Sequence, residues 1–165
     1  RPVVDTQTPK LLASLKDSAS PVPNALPTGA QMAERLASLG WRPGMRIVIY
    51  DDSAVKTSAR AWFALRRAGV ASALLDGGLG KWRAEGRALE TGEAQAAGSA
   101  VAPPLDVSDT RVRSKDDMLA NLASSAEQVV DARDAERFTA ATADTKHDLP
   151  GGHIPGARNL FFGDL

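Results

Sequence analysis

The run Arg46-Ile47-Val48-Ile49-Tyr50 narrows the fold more than any other stretch of the chain. Its four residues after the arginine are apolar or aromatic, and three are β-branched. A half-solvated strand alternates apolar and polar side chains, whereas this run does not. It therefore reads as a central strand covered on both faces, as in a parallel sheet clothed by helices. The flanking sequence supplies such helices. Thr28 and Gln31 have the capping-box spacing, Met32, Leu36 and Leu39 give an apolar face, and Gly40 a stop. Residues 58–69 read as a second helix, with Ala61, Trp62 and Leu65 inward and Arg60, Arg66 and Arg67 outward. Residues 70–75 read as a strand, Gly77-Gly78 as a turn, and Leu79 with Trp82 as a short helix ended by Gly86. The Pro-rich first 27 residues read as a surface loop with a short helix near 10–16.

Further along, Ser114-Lys115-Asp116-Asp117 opens a helix with Met118, Leu119 and Leu122 as its core face. Residues 128–131 read as a strand, 134–138 as a helical turn, and 159–161 as a short strand, with a polar loop running to Pro150. Strands alternating with helices predict an α/β fold with a doubly wound parallel sheet. The small, Pro-containing stretch from Gly98 to Pro104 lacks helical periodicity and marks a boundary. Charge changes there too: residues 1–97 carry 13 basic and 9 acidic side chains, residues 98–165 carry 7 and 11. The expected organisation is one unit at 1–97, a linker at 98–112 and a second unit at 113–165.

The 20 basic and 20 acidic groups balance, which argues against a nucleic-acid binder held by phosphate neutralisation. No apolar run approaches the ~20 residues of a membrane helix. The absence of a visible export signal makes cytoplasmic location the expectation. With no cysteine in 165 residues, the chain holds no disulfide, thiolate metal site or cysteine nucleophile of its own. Asp51-Asp52-Ser53 follows the apolar strand, but a phosphoaspartyl site needs a carboxylate where Ser53 stands. Gly77-Gly78-Leu79-Gly80-Lys81 fails as a phosphate loop, because Leu75 and Trp82 replace the required Gly and Ser/Thr. His147 and His153 lack the spacing of a helical metal pair, so no metal is expected, and His153 reads as a hydrogen-bonding hinge in a tight turn.

Arg133 and Arg137 are four apart, just past the carboxyl end of Val129-Val130-Asp131, where open parallel sheets bind ligands. If 134–138 is helical, both guanidinium groups can grip an oxyanion from one side. Alternatively Arg133 pairs with Asp131 or Asp134 as scaffold. Spacing alone does not choose.

Three stretches together resemble the rhodanese (sulfurtransferase) superfamily. Residues 75–90, Leu-Asp-Gly-Gly-Leu-Gly-Lys-Trp-Arg-Ala-Glu-Gly-Arg-Ala-Leu-Glu, resemble the segment closing one of its domains. Residues 129–138, Val-Val-Asp-Ala-Arg-Asp-Ala-Glu-Arg-Phe, resemble the opening strand of the next domain, and Gly152-His153-Ile154-Pro155-Gly156-Ala157-Arg158 its hallmark turn. That turn follows the closing segment here, whereas within one domain it precedes it. The order implies parts of two tandem domains: the rear of a silent first domain and the front of a catalytic second. A permuted or swapped single domain is the competing arrangement, and unfinished sheet edges are expected to pair with the missing parts of these domains.

The resemblance implies transfer of sulfane sulfur from thiosulfate or 3-mercaptopyruvate, both small anions, to cyanide or a thiol. A cysteine persulfide encoded beyond Leu165 would carry the sulfur, with no cofactor. Asp51 matches the nucleophile position of the silent domain. Arg137 resembles the substrate-gripping arginine, Lys146 falls where mercaptopyruvate-type members tend to carry a second arginine, and Arg133 is a structural or secondary contact. The alternative is a non-catalytic rhodanese-like binding or regulatory module.

Overall fold

The computed structural model describes residues 3–5 by backbone alone, and residues 16–52, 57–92, 104–142 and 150–165 in full. The helix expected near 10–16 lies outside the described residues except at its last position. The chain divides into two compact units, Arg1–Arg111 and Val112–Leu165.

In the first unit the elements run β1 (Val3–Asp5), α1 (Gly29–Ser38), β2 (Ile47–Tyr50), α2 (Ser58–Arg67), β3 (Ser72–Leu74) and α3 (Gly78–Ala84). The strands form one sheet in the order β1-β2-β3, and every pairing is parallel. Central β2 seals Ile47 and Ile49 against the helices at 1% and 0% exposure, while Val48 and Tyr50 on the other face are half-buried. Burying each isoleucine contributes roughly 1.5–3 kcal/mol. The expectation of full cover on both faces thus holds completely for one face only among the described residues.

Local chemistry sets the helix limits. At α1 the Gln31 N–H donates to the Thr28 hydroxyl and the Thr28 N–H donates to the Gln31 side chain, at 3.3 and 2.8 Å. The capping box read from sequence is formed. Met32 and Leu36, one turn apart, then bury their side chains completely. At the other end Gly40 takes φ 72°, which lets the Gly40 and Trp41 N–H groups donate to the carbonyls of Ala37 and Leu36. This Schellman closure brings Trp41 back onto the core beside Leu36. Gly69 closes α2 in the same way and returns Val70 to the core.

Two expectations are corrected here. Arg67, predicted outward, is 10% exposed. It donates to the Pro27 carbonyl at 2.7 Å and to Asp109 at 2.6 Å, so distant acceptors hold the charge inward. Its partners belong to the second correction: residues 104–110, within the predicted linker, dock onto the first unit. Leu105 and Val107 pack on its core, and the Ser108 N–H donates to the Arg67 carbonyl at 3.1 Å.

In the second unit α4 (Lys115–Ser124), β4 (Val130–Asp131), α5 (Ala135–Thr139) and β5 (Arg158–Asn159) precede a 3₁₀ turn at Phe162–Asp164, and β4 and β5 pair in parallel. Ser114 caps α4 through a reciprocal box with Asp117. The predicted apolar face of α4 does not hold: Leu119 and Leu122 are 57% and 42% exposed, and the buried residue is Asn121. The Asn121 amide donates to the Glu127 carbonyl and accepts the Glu127 N–H, at 2.9 and 2.8 Å. This two-point bond ties the helix exit to the approach of β4. Among the described residues no helix is long and apolar enough to cross a membrane.

Gly29 is the most crowded described glycine of the first unit, because a Cβ there would stand 1.9 Å from the Leu105 carbonyl oxygen. Gly29→Ala should lower unfolding stability by about 1–3 kcal/mol, read from denaturant midpoints. Gly80→Ala is the control, since a Cβ there meets nothing within 4 Å. It should be neutral or stabilising by up to about 1 kcal/mol.

Candidate functional site

Two carboxylates stand at carboxyl ends of parallel strands, one in each unit. In the first, Asp51 directly follows β2. Its Oδ2 accepts the Ser58 N–H at 2.7 Å and the Thr57 hydroxyl at 3.2 Å. Ser58 opens α2, so the carboxylate lies where the helix's first N–H groups favour negative charge. The Asp51 carbonyl in turn accepts the Leu79 N–H at 3.1 Å. A Cβ on Gly78 would approach that carbonyl oxygen to 2.6 Å, so the Gly77-Gly78 turn is glycine for a packing reason. The Asp51 carboxylate is thus bonded at the start of the helix that follows its strand.

In the second unit Asp131 ends β4. It accepts the Arg133 N–H at 2.9 Å and holds the Arg133 guanidinium through Nε and Nη2, at 3.0 and 2.6 Å. Nη2 also donates to the Gly152 carbonyl at 2.5 Å. Hydrogen bonding to the Arg133 guanidinium holds the Asp131 carboxyl below its ordinary pKa. Asn159 completes the strand end by donating to the carbonyls of Asp131 and Arg133, at 3.0 and 2.7 Å. Of the two alternatives left by spacing, Arg133 takes the pairing with Asp131. A cleft of about 620 Å³ opens beside it, with Arg133, Gly152 and His153 in its wall.

Arg137 sits one turn into α5. Asp134 is the N-cap: its Oδ1 accepts the Arg137 N–H at 2.9 Å, and its Oδ2 accepts from Arg137 Nε at 2.7 Å. One carboxylate therefore caps the helix and aims the guanidinium back toward the strand end, the direction helical side chains naturally take. The bond to Arg137 lowers the Asp134 pKa. The arginine side chain remains 30% exposed, within reach of a ligand from solvent.

The turn at 150–153 meets α5. The Gly152 N–H donates to the Arg137 carbonyl at 3.1 Å, and His153 Nδ1 lies 2.8 Å from the Phe138 carbonyl. The sequence reading of His153 as a hydrogen-bonded hinge agrees with this geometry. Lys146, with His147, lies outside the described residues. Among the described residues no cluster of three or more His, Cys, Asp or Glu could hold a metal. Sequence reasoning missed Asp134 as the orienter of Arg137, although the Asp-x-x-Arg spacing of N-cap to third helical residue is a readable signal. It also missed Asn159, whose partners lie 26 and 28 residues away.

Residues 16–85 match the family model described as Rhodanese-like domain. A 3-mercaptopyruvate sulfurtransferase of Mus musculus is 34% identical over 149 residues, which cover 88% of this chain and 50% of the relative. A thiosulfate sulfurtransferase of Gallus gallus is 33% identical over 150 residues, covering 89% and 50%. Among solved structures, an Escherichia coli crystal structure concerned with the "Rhodanese" fold and catalytic mechanism of 3-mercaptopyruvate sulfotransferases has a TM-score of 0.78. Its sequence identity is 30%, covering 93% of this chain and 57% of that one. Residues 16–85 thus match a Rhodanese-like domain, and the helices and parallel strands are consistent with the rhodanese fold of that structure. The chain spans about half the length of the curated relatives it matches.

Because Arg133 depresses the Asp131 pKa, the pair stabilises the fold above the ordinary carboxylate pKa of about 3.9 and loses that contribution as pH falls through the lower folded value. Arg133→Met should therefore be less stable than wild type at pH 7. The gap should close as acid protonates Asp131, in urea melts taken from pH 7 down to pH 2. In carboxyl-carbon NMR the Asp131 pKa should rise in the variant; an unmoved pKa would count against the pair as its cause.

Proposed function

We propose that this chain is part of a tandem-domain sulfurtransferase that moves sulfane sulfur from thiosulfate or 3-mercaptopyruvate to cyanide or a thiol. The observation that carries the reading is the pairing of alignments to both kinds of sulfurtransferase with a complete absence of cysteine. The nucleophile then belongs to sequence outside these 165 residues. The first unit is the silent domain, its nucleophile position taken by Asp51, and the second unit contributes the front of the catalytic domain.

In the reaction a cysteine thiolate attacks the outer sulfur of the donor. With thiosulfate the S–S bond breaks and its electron pair leaves with sulfite. With 3-mercaptopyruvate the C–S bond breaks, and the resulting enolate takes a proton to become pyruvate. Cyanide then attacks the terminal sulfur of the persulfide, forming thiocyanate and restoring the thiolate. No net oxidation occurs, so no redox cofactor is needed.

Both donors carry negative charge away from the transferred sulfur, and fixed cations near the strand end serve to orient it. Arg137 is the primary contact, because Asp134 already points its guanidinium and a planar fork suits a carboxylate or oxyanion. Lys146 adds charge without the fork, and Arg133, committed to Asp131 and Gly152, acts as a secondary contact.

In the full-length protein, transfer from both donors to cyanide is the expected activity, measured as thiocyanate. Arg137→Ala should raise the donor KM about tenfold or more, the loss of one charge-assisted contact. A full-length protein inert toward both donors would make the chain a binding module instead. Unchanged kinetics in Arg137→Ala would remove that residue from the site.

A further inference from the structure

Arg137 rides on a helix too short to hold its own orientation. Helix α5 has five residues, Ala135–Thr139, and a single turn of that kind is not stable in isolation. Asp134 fixes its first end. At its last end the Arg137 carbonyl takes a long bond, 3.4 Å, from the Ala140 N–H, and the turn at 150–153 supplies further donors. The Gly152 N–H takes the Arg137 carbonyl and His153 Nδ1 takes the Phe138 carbonyl. The His153 ring also lies flat on Phe138, centroids 3.8 Å apart and planes 10° from parallel. A Cβ on Gly151 would approach the Ala140 Cα to 2.7 Å, so the turn is pressed against the helix exit.

A carbonyl oxygen only accepts, so the proton of this bond sits on His153 Nδ1, and protonation of Nε2 leaves the bond in place. We propose that His153 is a positioning residue for Arg137. Its Nδ1–H bond and ring stack fix the rotation of α5, and with it the direction from which the guanidinium meets the donor anion. The inference rests on the reading of Arg137 as the donor contact. It adds a role for the histidine that contact with the substrate does not require.

Two substitutions in the full-length protein separate the parts of the device. His153→Phe keeps a ring on Phe138 but removes the donor, and His153→Asn keeps a donor near the Nδ1 position without the ring. With thiosulfate, His153→Phe should raise KM about tenfold while kcat changes little, and His153→Asn should recover most of the loss. In the Arg137→Ala background His153→Phe should raise KM no further. Additive KM increases would overturn the positioning role and leave Arg137 as a contact. An Arg137→Ala variant with wild-type KM would remove both.

A readout independent of sulfur transfer is the hydrogen exchange of Arg137 Nε–H, which donates to Asp134 in the folded protein. In ¹⁵N-arginine spectra it should exchange about tenfold faster in His153→Phe and near the wild-type rate in His153→Asn. Equal protection in His153→Phe overturns the proposal whatever the kinetics. Should His153→Phe fail to fold, His153→Leu against His153→Asn gives the same reading.

Discussion

A parallel strand whose side chains are buried has little room for polar chemistry along its length. In β2 the sealed face belongs to Ile47 and Ile49, and both neighbours pair through backbone alone. Any group meant to meet solvent or a ligand is displaced to the strand's carboxyl end, where the chain leaves the sheet toward a helix. Asp51 and Asp131 both stand at such ends, and the polar contacts around them follow from that displacement.

The two ends solve the same electrostatic problem differently. Asp51 accepts hydrogen bonds at the N-terminus of α2, from the Ser58 N–H and the Thr57 hydroxyl. In the second unit the corresponding carboxylate is matched by a neighbouring arginine, Arg133, which also reaches Gly152. Helix α5 then brings its own pair, Asp134 and Arg137. The first end thus places its carboxylate against a helix N-terminus, whereas the second carries guanidinium groups bonded to carboxylates.

How much of this could be read from sequence follows from the range of each interaction. The box at Thr28, the helix start at Ser114, the stops at Gly40 and Gly86, and the strand at Ile47–Tyr50 depend on neighbours within a few residues, and all were legible. Arg67 was misplaced because its acceptors, Pro27 and Asp109, lie 40 and 42 residues away. Helix α4 misled for a related reason. Its Leu119 and Leu122 carry a core-like pattern but stand exposed, and the buried residue is Asn121, bonded to Glu127. At the site, the proximity of Arg133 and Arg137 to the strand end was legible. Their division of labour was not, since it depends on which carboxylate each arginine finds.

That division has an energetic side. Asp134 and Arg137 are 37% and 30% exposed, and a pair so open to water contributes little to folding. Arg67 is 10% exposed, and its removal takes a donor from both the Pro27 carbonyl and the Asp109 carboxylate. The Asp134–Arg137 pair is therefore weak as a staple and well defined as a pointer: the same oxygen atoms that stabilise little still fix the plane and direction of a guanidinium. Stability and recognition separate along that line. A change at Arg67 acts through the fold, and on the proposed reading a change at Arg137 acts through what the strand end can hold.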